Sequence, residues 1–210
     1  MAETLGVHFE REIREQPGVW ERIAAGSQAK ELAGAFDNDI VLVGSGSSLF
    51  VAELGALALR RRGIRAHALA ATEAQLDHNA YEGLTVVAIS QSGGSTDLLE
   101  ALDVLAPRRL IALTNTAESP LATRADVTID VGAGREVAVP ATKSVTATVA
   151  VLLHAASIAV ADESRNAGVL LHVATAVRAW MDGPKLDDVA RAARRIALRR
   201  SVAVLGSDYG

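Results

Sequence analysis

Five short strand-like runs punctuate the middle of the chain, at Ile40–Val43, Ala66–Leu69, Thr85–Ile89, Leu110–Thr114 and Val127–Asp130, and the first, third and fourth are almost continuously apolar. Continuous apolar runs of this length read as strands buried on both faces. Between them lie stretches with helical spacing at Ser48–Arg62, Ser95–Leu105 and Val145–Ala161, and a short one near Pro120–Arg124. Strand alternating with helix predicts a parallel sheet covered on both sides, an α/β three-layer, doubly wound domain. Phe9–Phe36 reads as helical, with Pro17 ending one helix and starting the next. Asp37-Asn38-Asp39 reads as a turn into the first strand. Asn166–Met181 and Leu186–Arg199 read as two further helices separated by Asp182-Gly183-Pro184. Arg191, Arg194, Arg195, Arg199 and Arg200 alternate with apolar positions in the second, which reads as a solvated face rather than a binding patch. Ser201–Leu205 followed by Gly206-Ser207 repeats the pattern of the first strand and its loop. The expected division is therefore N-terminal helices over 1–38, an α/β domain over 39–162, C-terminal helices over 163–200, and over 201–210 the truncated first strand of a second copy.

The loops after the first and third strands carry the chemistry. Gly44-Ser45-Gly46-Ser47-Ser48 and Ser90-Gln91-Ser92-Gly93-Gly94-Ser95-Thr96 each close a strand and open a helix. Such loops offer hydroxyls, free backbone N–H groups and the positive end of a helix dipole, a setting for phosphate. Neither holds a nucleophile–base pair or a Lys or Arg, so they read as holding an anion with neutral donors. In a doubly wound sheet they stand beyond the carboxyl ends of the strands, where ligands bind. Three readings stay open for the first loop: phosphate or polyol binding, a structural tight turn, and dinucleotide binding. The last lacks its third glycine, where Leu49 stands, and its acidic residue after the second strand. Thr142-Lys143-Ser144 lacks the glycine of a nucleotide-triphosphate loop. Glu136 and Lys143 are candidates to face a ligand or to pair with each other at the surface.

With 210 residues, half of them hydrophobic, the chain can bury a large core, and with 3% aromatic residues that core is Ala, Val, Leu and Ile. A net charge of −4 argues against a nucleic-acid wrapper. The absence of cysteine excludes disulfides and thiolate metal sites. The five histidines lack metal-type spacing, and no metal or cofactor is expected. The first residues do not resemble a signal peptide and no run reads as a membrane span, so a cytoplasmic protein that avoids membranes is the expectation.

Five motifs in order make the chain resemble the sugar isomerase (SIS) domain family, in particular the isomerase half of glucosamine-6-phosphate synthase and the amino-sugar-phosphate deaminases. They are Glu12-Ile13-Arg14-Glu15-Gln16-Pro17, Gly46-Ser47-Ser48, Ala71-Thr72-Glu73, Ile89-Ser90-Gln91-Ser92-Gly93 and Glu136-Val137-Ala138-Val139-Pro140-Ala141-Thr142-Lys143. The resemblance implies a flavodoxin-like five-stranded parallel sheet, a phosphorylated sugar as ligand and a homodimer. It implies that Ser48, Ser90, Gln91, Ser92 and Ser95 bind the phosphate, with Gly46 and Thr96 beside them. Ser47 would approach C1–C2 of the sugar, and Val139 would touch it through its backbone. Gly94 and Ala141 stand where the family has Glu and Ser, which bears on the sugar's identity. No glutaminase segment with its cysteine is present, so glutamine-dependent synthesis is not expected of this chain. The family's catalytic base and lysines belong to a second domain, leaving the catalytic residues here unknown. The reaction implied is aldose–ketose isomerisation, with or without loss of ammonia. A sugar-phosphate sensor acting through a partner, and a dinucleotide-dependent enzyme, are the alternatives; no helix-turn-helix precedes the core to suggest a DNA-binding regulator.

Overall fold

The computed structural model describes residues 6–198 apart from Asn38, Asp77, Ala161, Asp162 and Pro184. The strand expected at Ser201–Leu205 lies outside the described residues, as do Arg199 and Arg200. Five strands, β1 (Asp39–Gly44), β2 (Arg65–Ala70), β3 (Thr85–Ser90), β4 (Arg109–Thr114) and β5 (Val127–Asp130), form one parallel sheet in the order β2-β1-β3-β4-β5. Each lies within one residue of the run expected from the sequence.

Side chains alternate across the sheet, and each face carries its own core. On one face, Ile40, Leu42, Val87, Ile89, Ile111, Leu113 and Ile129 pack under α1 (Val7–Ala25), α2 (Gln28–Ala35), α3 (Ser47–Arg60) and α7 (Lys143–Ile158). On the other, Val41, Val43, Val86, Ala88, Leu110 and Ala112 meet α4 (Ala71–Ala74), α5 (Thr96–Leu105) and α6 (Pro120–Arg124). Small residues set the layer spacing. A Cβ on Gly55 of α3 would stand 2.9 Å from Leu42 and 3.1 Å from Leu152. α8 (Glu163–Met181) packs on α1, and α9 (Lys185–Ala197) touches α8 with Arg191, Arg194 and Arg195 exposed.

One local expectation is corrected, and one short helix was not expected. Pro17 does not divide the N-terminal helix; α1 runs through it. A helix-interior proline costs about 3 kcal/mol, and burial of Val19 and Ile23 on the same helix, which packs on α7 and α8, offsets that cost. The break falls instead at Gly26, where the backbone turns extended and a Cβ would meet Gln28 Oε1 at 2.0 Å. α4, a single turn, is absent from the sequence pattern; the Glu73 carboxylate accepts the Ala70 N–H at 3.4 Å to close it.

At the amino edge of the sheet, Asp37 accepts the Thr85 hydroxyl and the Arg108 guanidinium, the latter at 2.6 Å. The Thr85 hydrogen bond, helped by the charges of Arg108 and Arg109, holds the Asp37 carboxyl below the ordinary carboxylate range against the opposing effect of partial burial. A carboxyl with a folded-state pKa below its unfolded one stabilises at pH values above the unfolded pKa, and that contribution disappears as pH falls through the folded pKa. Asp37→Asn is expected to lower the urea midpoint at pH 7, with the gap from wild type closing below about pH 3.9. Equal gaps at both pH values would remove Asp37 from the stability profile.

Candidate functional site

In β1–β3 pairing Gly44 stands opposite Ile89, so the serine-rich loops leave the sheet from neighbouring positions on neighbouring strands. Strand order reverses there: β2 lies to one side of β1 and β3–β5 to the other. α3 leaves over one face and α5 over the other, and the crevice between their first turns is the switch point of a doubly wound sheet.

The β1 loop turns tightly. A Cβ on Gly44 would lie 2.6 Å from the Ser48 carbonyl carbon and 2.9 Å from the Leu49 nitrogen, so glycine lets α3 start directly above the strand end. Gly46, at φ +57°, is the residue before the helix. Ser47 is exposed and Ser48 half-buried, and neither hydroxyl caps α3 or bonds elsewhere among the described residues. The first turn of α3 carries no acidic residue, so its positive dipole end is uncompensated.

The β3 loop is braced from beneath. Ser90 is buried, and its hydroxyl oxygen accepts the Gly93 N–H at 3.1 Å. The Gln91 carbonyl accepts the Asn115 N–H at 3.2 Å and the Thr116 hydroxyl at 3.3 Å. Gly93, at φ +61°, presses on Ser119, whose Oγ would be 2.0 Å from a Cβ there, and its carbonyl accepts the Leu121 N–H at 3.0 Å. Above this brace Gln91 and Ser92 are exposed. The Ser92 hydroxyl oxygen accepts the Gly94 N–H at 3.3 Å. Ser95 holds the N-cap position of α5 without a side-chain cap bond, and Thr96 begins the helix, exposed. Asp97 in the same turn reduces the pull of this helix end on an anion.

The connection from β5 to α7 forms the third wall. The structure pairs Glu136 and Lys143 with other groups, not with each other. The Glu136 carboxylate accepts the Thr142 N–H at 2.8 Å, the Ser144 N–H at 3.3 Å and the Ser144 hydroxyl, capping α7. The Lys143 ammonium, nearly buried, donates to Glu15 of α1 at 2.5 Å. Asn115 donates to the Gly134 carbonyl at 2.8 Å and accepts the Ala133 N–H at 3.0 Å. Val139 is 99% exposed. A groove of about 420 Å³ runs beside Gln91, lined by Asn115, Thr116, Asp130, Gly134, Arg135 and Glu136. Three residues here escaped the sequence reading: Asn115, Arg135 and the buried Glu12. Glu12 lies in a motif that was visible, but nothing in that motif tells which loop its carboxylate reaches.

The family model for the SIS domain matches residues 37–158, more than half of the chain. The chain belongs to the SIS domain family. Its SIS domain is homologous to part of a glutamine–fructose-6-phosphate aminotransferase [isomerizing] of Aeropyrum pernix, at 38% identity over 166 residues, 73% of this chain and 26% of that protein. The corresponding Staphylococcus aureus protein is 31% identical over 201 residues, 86% of this chain and 33% of that protein. Among solved structures, the glucosamine-6-phosphate deaminase of Thermotoga maritima superposes with a TM-score of 0.66 at 25% identity, covering 78% of this chain and 52% of that one. The chain thus spans a quarter to a third of these curated relatives and about half of the solved neighbour. Among the described residues no helix is long and apolar enough to cross a membrane.

The two glycines of the β3 loop differ in constraint. Gly94 has φ outside the left-handed region and only Ser92 Oγ, at 3.9 Å, near its missing Cβ. In thermal or urea unfolding, Gly93→Ala is expected to cost roughly 2 kcal/mol or more, and Gly94→Ala about 0.5 kcal/mol or less. Similar losses for both would show that Gly93 is not wedged against Ser119.

Proposed function

We propose that this SIS domain binds a phosphorylated sugar at the β1–β3 crevice, as the sugar-holding part of an aldose–ketose isomerase or an amino-sugar-phosphate isomerase or deaminase. The observation that carries the reading is the juxtaposition of two serine-rich loops at the switch point, with Ser47, Ser48, Gln91 and Ser92 accessible over the first turns of two helices. Ser48, Gln91, Ser92 and Ser95 hold the phosphate, with the N–H groups of Thr96 and Gly46 nearby. Ser47 faces the sugar's C1–C2 end and Val139 meets it through its backbone. Ser90 works from below, keeping the loop in shape through Gly93.

The names of the relatives point to fructose 6-phosphate and glucosamine 6-phosphate as the first ligands to try. The neighbouring carboxylates Glu12, Asp130 and Glu136 all accept backbone N–H groups. Holding the sugar is therefore the task of the residues named here. A proton shuttle between C1 and C2 needs a further carboxylate base.

Ser48→Ala combined with Ser92→Ala removes two hydroxyls worth about 1 kcal/mol each, and up to about 3 kcal/mol each against a charged group. Calorimetry with fructose 6-phosphate and glucosamine 6-phosphate is expected to show at least about tenfold weaker binding. Wild-type affinity in the folded double variant would reject this pocket.

A further inference from the structure

α1 reaches across the fold onto the connection that leads into α7. Glu12, Glu15 and Gln16 are spaced i, i+3 and i+4 and share one helix face. Glu12 is 0% exposed, yet it carries a carboxylate. Its oxygens accept the Val137 N–H at 2.5 Å and the Ala138 N–H at 3.1 Å. Glu15 accepts from the Lys143 ammonium, and the Thr146 hydroxyl lies 3.2 Å from Gln16 Oε1. These contacts join residues more than 120 positions apart in the chain.

A carboxylate without partners is costly to bury. Here both oxygens are met by backbone donors, which makes charge-assisted bonds of the stronger kind. Glutamine at this position would keep one acceptor oxygen, lose the charge and turn an amide N–H₂ toward a backbone N–H. The bonds also select which backbone groups stay open. Val137 and Ala138 give their N–H groups to Glu12, and Glu136 and Thr142 are tied together at the α7 end. Val139, the next residue, makes no hydrogen bond among the described residues, and Pro140 has no N–H to offer.

We propose that Glu12 is a positioning residue: by seizing the amides of Val137 and Ala138 it fixes the direction in which the Val139 backbone is presented to the sugar end of the ligand. The ligand clause rests on the sugar-phosphate reading above; the clasp itself does not. Glu15 and Gln16 extend the same grip to the first turn of α7. In this scheme the serine loops hold the phosphate, and α1 sets the distance to the sugar.

The test has two readouts. Amide hydrogen exchange is measured in wild type and Glu12→Gln, and the Val137 and Ala138 amides are expected to exchange at least about tenfold faster in the variant, with the Val87 and Ile111 amides of the sheet unchanged. Fructose 6-phosphate affinity is expected to fall at least about fivefold while inorganic phosphate affinity stays within about twofold. Unchanged exchange at Val137 and Ala138 overturns the clasp, and equal losses for fructose 6-phosphate and inorganic phosphate overturn its role at the sugar end. If wild type binds neither probe, the sugar-phosphate reading and the ligand clause fall together, while the exchange result still decides the clasp. Should Glu12→Gln not fold, Glu12→Asp, whose carboxylate stops one methylene short of the two amides, takes the same two measurements with the same expected directions.

Discussion

The parallel pairing of β1 with β3 is the constraint on which the rest of the molecule depends. It inserts β1 between β2 and β3, so the chain must wind outward in two directions from one line. Helices following β1 and β3 then leave over opposite faces, and the turns that launch them meet at a single crevice. Were β3 paired beyond β2 instead, the two serine-rich loops would stand at separate points of the carboxyl edge and no common site would exist. The pairing is secured by side chains buried on both faces, Val41 and Val43 on one, Ile40 and Leu42 on the other. The near absence of aromatic residues keeps the layers close, and Gly44 and Gly55 allow α3 to lie directly on β1 and α7.

Backbone hydrogen bonding separates the frame from the working surface. A long connection such as 131–142 has no ladder partner for its amides, and buried amides require acceptors. Glu12 of α1, Asp130 at the end of β5, Asn115 just after β4 and Glu136 within the connection itself supply them. The serine loops are arranged in the opposite sense. Their carbonyls are anchored, by Asn115 and Thr116 on Gln91 and by Leu121 on Gly93, while Ser47, Gln91 and Ser92 stay accessible above. Irregular backbone held rigidly from below, with polar groups open above, is the state from which a charged ligand is bound at low ordering cost.

Much of this was legible in the sequence. The strands and the serine-rich loops could be placed because each is defined over a few consecutive residues: apolar runs of four or five, or glycine beside serine where a strand turns into a helix. Pro17 misled because its local cost was visible and the packing that offsets it was not. α4 was missed because a single turn leaves no periodic pattern.

The sequence by itself determined the doubly wound class, the position of the two serine-rich loops and membership of the family, since all three follow from local order along the chain. Tertiary structure alone decided that Glu136 caps a helix, that Lys143 joins Glu15 and that Glu12 holds Val137 and Ala138. The partners of Lys143 and Glu12 are chosen by which helix faces and loops the sheet brings together over more than 120 residues, and those of Glu136 by how the connection folds back over six to eight residues. A carboxylate bound for solvent and one bound for a buried amide look the same in the chain. The cost of burying charge without a partner separates them only once the fold is closed.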